Sequence, residues 1–146
     1  MRRLTLELAV SVIDGAISRA ADLGCAPLTV VVLDAGGQDI ALKRQDGSGI
    51  LRVDIARGKA WGALGMGFSS RELGERAAKF PAFVSALASV SQGRLVPVAG
   101  GVLIYDEGRN VVGAVGISGD TSDRDEDCAL SGVRAAGLLA TPTAAT

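Results

Sequence analysis

The stretch from Ala99 to Ala129, AGGVLIYDEGRNVVGAVGISGDTSDRDEDCA, limits the possible folds more than any other part of the chain. Two apolar, β-branched runs, Val102–Tyr105 and Val111–Ser118, flank a charged turn at Asp106–Asn110. Runs this short, separated by a polar turn, read as an antiparallel hairpin. The second run passes through Ser118-Gly119 into a segment opened by acids, the mark of a helix start. Gly113 and Gly116 inside that run leave the sheet surface bare, so that a helix can pack closely there.

The remaining segments agree with this reading. Apolar pairs at Leu8/Ala9, Val12/Ile13 and Ala16/Ile17, followed by Ala20, line one face of a helix between an N-cap at Thr5 and a stop at Gly24. After Pro27, LTVVVLDAGG and DIALKRQDG predict a hairpin turning at Ala35–Gly37, with a lead-in at Val96–Ala99 to the second strand block. A helix is expected over Ile50–Leu64. Another should start at the capping box Ser69-Ser70-Arg71-Glu72, in which Glu72 reaches back to Ser69, and a third runs from Pro81 through Ala82–Val90 to Gly93. The last helix is expected from Asp123 to Leu139, capped by Ser122, with Asp125 at its third position. Paired strands between blocks of helices define an α+β fold, a single domain over 1–140 with a flexible tail at 141–146.

Composition narrows the function classes. With 15 basic and 16 acidic residues and a net charge of −1, the chain carries no footprint for nucleic acid. Its apolar runs fall short of the roughly 20 residues of a membrane span, and the start MRRLTLELAV lacks a signal core, so a cytoplasmic protein is expected. Cys25 and Cys128 are too far apart in sequence for a metal-type pair and too few for a disulfide framework; they are expected to be small apolar side chains.

The chain contains no histidine. That excludes a Ser-His-Asp triad, a Cys-His pair and any His-ligated metal or haem. Gly100-Gly101 is no dinucleotide fingerprint, and there is no phosphate loop of the Walker type. The acids Asp120, Asp123, Asp125, Glu126 and Asp127 lack EF-hand spacing and suit the positive end of the last helix better than a metal, so no metal site is expected. Arg44 and Asp46 close a strand at a glycine loop, while Lys59 sits among Ala56, Ala60 and Ala63, pointing either to solvent or into a cleft. Desolvated there, it would have a lowered pKa and could act as a base or hold an anion.

Three segments, VVVLDAGGQDIALKRQDG, GKAWGALGMGFSSREL and AGGVLIYDEGRNVVGAVGISGDTSDRDEDCALSG, resemble the GlcG/HbpS-like family over almost the whole length. The family includes a haem-binding extracellular sensor and the C-terminal domain of corrinoid enzymes. The resemblance implies a profilin-like three-layer α/β/α sandwich with an antiparallel sheet of about five strands, assembled as a homo-oligomer, dimer or octamer. It makes haem or a corrinoid a possible ligand; a haem held through histidine is excluded. By similarity the pocket gathers Arg44, Asp46, Lys59, Gly100, Gly101, Ser118 and Gly119 near a subunit interface, with glycine amides and cations meeting an anionic or aromatic metabolite or a tetrapyrrole. The alternative is a metal-free enzyme acting on a small organic acid or aromatic metabolite, with Lys59 or Glu126 as general base and Arg44 as anchor.

Overall fold

The computed structural model of the protein describes residues 3–140, so the expected tail at 141–146 lies outside the described residues. Helix α1 (Leu6–Leu23) starts where the Thr5 hydroxyl accepts from the Leu8 amide at 3.1 Å, and ends at Gly24 with φ 66°. Its stripe of Ala9, Val12, Ile13, Ala16 and Ala20 is buried. Strands β1 (Thr29–Asp34) and β2 (Asp39–Arg44) form the first hairpin; the Asp34 carboxylate holds its turn by accepting from the Gly36 and Gln38 amides. Three helices follow: α2 (Arg52–Met66), α3 (Ser70–Lys79) and α4 (Pro81–Val90). The second hairpin, β3 (Gly101–Tyr105) and β4 (Val111–Ser118), leads into α5 (Ser122–Ala135) and a short β5 (Leu139–Ala140).

The five strands make one antiparallel sheet in the order β2-β1-β4-β3-β5. Because strand side chains alternate, β1 and β4 serve two cores at once. Val30, Val32, Val115 and Ile117 pack with α1 and α5, whereas Val31, Leu33 and Ala114 pack with α2. The result is the expected α+β sandwich of three layers. No helix among the described residues is long and apolar enough to cross a membrane.

Glycine sets the spacing of the layers. A Cβ at Gly116 would overlap the Ala56 carbonyl oxygen, and one at Gly101 the Lys59 carbonyl oxygen, so the backbone of α2 rests directly on β3 and β4. On the opposite face Gly132 of α5 admits the Val12 carbonyl of α1 in the same way. Here close approach replaces large side chains, which suits a chain rich in alanine.

Several boundaries differ from the sequence expectations, each for a local reason. Glu72 does not close the capping box: Ser69 Oγ accepts from the Glu72 amide at 3.3 Å, but the Glu72 carboxylate turns to Arg76, 2.7 Å away. The N-cap of α5 is Thr121 rather than Ser122, its hydroxyl accepting from the Arg124 amide. The same helix stops at Ala135 instead of Leu139, because Gly137 adopts φ 77° and the Leu138 amide returns to the Val133 carbonyl. Leu138 then enters the core, and 139–140 adds a strand beside β3. The lead-in at Val96–Ala99 forms no strand; the Val96 amide is spent on the Gly58 carbonyl of α2.

Candidate functional site: a guanidinium corner above a buried ion pair

At one end of the sheet Arg44, Thr29 and Ser118 stand side by side in register on β2, β1 and β4. Adjacent strands run about 4.8 Å apart, so this row spans roughly 10 Å. The loop leaving β2 folds over it. Gln45 exchanges two hydrogen bonds with Leu28, and Ser48 Oγ meets Thr29 Oγ1 at 2.8 Å. Arg44 then donates through Nη1 to the Ser48 carbonyl at 2.9 Å, and Arg52, in the first turn of α2, donates through Nη1 to Ser118 Oγ at 3.0 Å. Among the described residues neither guanidinium is in an ion pair. Beside them Ile50 is 91% exposed and Leu51 66% exposed.

Beneath Arg52 lies Lys59, only 3% exposed. Its ammonium donates to the Ile117 carbonyl at 2.9 Å and to Asp125 Oδ2 at 3.3 Å. Asp125 Oδ1 in turn accepts from the Asp120 amide at 3.0 Å, and the nearby Gly119 amide favours the charged carboxylate. Burial pushes the Lys59 ammonium below its ordinary range and the Asp125 carboxyl above it, while their mutual attraction opposes both shifts. The positive charge of Arg52 lowers Lys59 further.

Gly100 has φ 133°, and a Cβ there would stand 2.8 Å from Lys59 Nζ, so glycine is required for both backbone and space. The neighbouring Gly101 amide donates to Ser70 Oγ at 2.8 Å. Lys59, Gly100, Gly101, Ser118 and Gly119 thus meet in one place, as a packed junction of α2, β3, β4 and α5. The Gly101 amide is satisfied within the protein, not turned outward as expected.

Arg44 adjoins that junction through Thr29 and Ser118, and with Asp46 it also lines an open cleft that includes Ile17, Cys25, Pro27, Lys43 and Gln45. Glu126 faces another direction again: its carboxylate is gripped by Arg71 Nε at 2.9 and 3.0 Å, and Arg71 also reaches Asp123. The two candidate bases therefore share no cleft. Lys59 is occupied by Asp125 and Ile117, and Glu126 by Arg71. Reading the sequence alone overlooked Arg52, Ser48 and the inward turn of Asp125. Ser48, set between Gly47 and Gly49 just before the first turn of α2, was the available signal.

Residues 4–134 match the family described as haem degrading protein HbpS-like. The chain belongs to the HbpS-like family. It is 31% identical over 120 residues to the corrinoid adenosyltransferase PduO of Citrobacter freundii, covering 82% of this chain and 35% of that protein. The chain thus spans about a third of the length of that relative. Among solved structures it is similar to the PduOC:heme complex, with a TM-score of 0.84 and 26% identity, covering 94% and 97% of the two chains. It is also similar to Streptomyces reticuli HbpS, solved as a double mutant, with a TM-score of 0.79 and 29% identity over 92% and 87%.

In this HbpS-like chain no histidine exists to ligate a haem iron. The groups that fit such a molecule are cations for its carboxylates, and exposed Arg44 on β2 and half-buried Arg52 on α2 stand at either end of one sheet row with no ion pair among the described residues.

Proposed function

We propose that this protein binds an organic anion with an apolar body, carboxylate-bearing tetrapyrroles included, at the corner formed by Arg44, Ser48, Arg52 and Ser118. What carries the reading is that two guanidiniums without carboxylate partners are pinned along one row of the sheet beside the exposed Ile50 and Leu51. Charge-assisted hydrogen bonds from arginine suit carboxylates, and the aliphatic side chains suit a flat apolar ligand. The buried Lys59–Asp125 pair, with Gly100, Gly101 and Gly119, fixes the end of β4 and so the position of Ser118. Asp46, on the rim with Arg44, disfavours ligands that place negative charge too far outward. Relatives whose names carry haem and corrinoids support the ligand class.

The corner belongs near a subunit interface. Ile50 and Leu51, together with α4, on which only Val84 is buried, leave apolar surface that further copies of the chain would cover. The experiment is a titration of protoporphyrin IX against its dimethyl ester. The free acid is expected to bind at least about tenfold more tightly, since each tenfold corresponds to about 1.4 kcal/mol of charge-assisted contact. Equal affinity for acid and ester would overturn the assignment.

A further inference from the structure

The two cysteines, remote in sequence, are neighbours in the fold. Helix α1 lies along α5, and just beyond α1 the Ala26 amide donates to Asp120 Oδ1 at 2.8 Å, drawing residues 25–27 to the start of α5. The Cys25 amide closes α1 on the Ala20 carbonyl at 3.0 Å, which holds its side chain against the α1–α5 core. Cys128 is fully buried in that same core, against which Cys25 packs, and the two thiols lie close enough to interact electrostatically. Their exposures differ. Cys25 is half-buried and lines the open cleft of about 620 Å³ beside Lys43 and Arg44, whereas Cys128 is fully buried and does not line that cleft.

We infer that Cys25 and Cys128 are a dithiol oxidised by hydroperoxides to an intramolecular disulfide, which clasps the end of α1 to the middle of α5. Cys25, the sulfur that a dissolved peroxide can reach, attacks the O–O bond. An S–O bond forms, the O–O bond breaks, and the departing alkoxide or hydroxide takes up the Cys25 proton. Cys25 is then a sulfenic acid. The Cys128 sulfur attacks it, the S–S bond forms, and the hydroxyl leaves with the Cys128 proton as water. In total two thiols and one peroxide give one disulfide, one alcohol and one water. Burial pushes the Cys128 thiol up to about 12, which keeps it protonated and unreactive until an oxidised sulfur is beside it.

The test treats the folded protein with hydrogen peroxide and reads intact mass, thiol titre after denaturation and melting temperature. The expected product has lost about 2 Da and both titratable thiols, reversibly with dithiothreitol, and melts higher because a long loop is now closed. In Cys25→Ser, a change at the half-exposed position, Cys128 should stay a free thiol under the same treatment. Cys128→Ala should leave Cys25 as a sulfenic acid that dimedone traps. A gain of about 16 or 32 Da on Cys25 with Cys128 still titratable in the unsubstituted protein would overturn the inference. So would equal peroxide reactivity of Cys128 in Cys25→Ser.

Discussion

Lys59 and Arg52 lie on the same helix, close enough for the charge of one to depress the pKa of the other, yet they are used in opposite ways. Lys59 has lost its water, and Asp125 and the Ile117 carbonyl replace it. Arg52 rests on a neutral hydroxyl and keeps its charge uncompensated at the surface. A cation whose partners are all internal serves the fold, whereas one held in place by neutral groups remains available to an anion. The same contrast separates Asp125 from Asp46, the first in the junction and the second on the rim of the cleft.

If that division holds, substitutions in the junction act on stability and substitutions in the corner act on binding. Asp125→Ala strands a buried ammonium and is expected to cost about 3–5 kcal/mol, with a melting temperature lower by roughly 10 °C in thermal denaturation. Combining it with Lys59→Met should recover much of the loss, because the uncompensated charge is gone. Gly116→Ala pushes a methyl group into the Ala56 carbonyl and should cost about 1–3 kcal/mol by urea unfolding, with ligand affinity following stability only.

Arg52→Gln inverts the pattern. Its stability should change by less than about 0.5 kcal/mol, while affinity for a porphyrin carboxylate falls about tenfold in a direct titration. A large stability loss in Arg52→Gln would place it with Lys59.

The smallest effect concerns Asp120. Its carboxylate accepts from the Ala26 and Thr121 amides, which hold it below the usual carboxylate range. The unfolded chain therefore binds more protons across that window, so this contribution is complete above about pH 4 and disappears as pH falls through the folded value. Asp120→Asn should flatten the acid limb of a pH–stability curve slightly and leave the neutral limb nearly parallel.

The fold was legible where local chemistry decides it. Thr5, Gly24, Ser69 and Pro81 punctuate helices by side-chain or backbone preferences that need no tertiary partner, and all four act where their residue types indicate. The end of α5 was not, because Leu138 leaves the helix to fill the core, and that gain depends on the sheet already being present. The site divides along the same line. Lys59 among alanines showed an unusual environment, but its partner Asp125 had an equally good local role in an acidic first turn. Only the crossing of α2 over β4 reveals which role it takes. Arg52 carried no pattern at all, since its meaning comes from Ser118, far along the chain.

The most direct measurement is the dissociation constant of protoporphyrin IX for Arg44→Gln/Arg52→Gln beside the unsubstituted protein, with melting temperatures recorded for both. The expected outcome is binding weaker by about a hundredfold at nearly unchanged melting temperature. Undiminished affinity in that double variant would contradict the assignment of the guanidinium corner as the anion site.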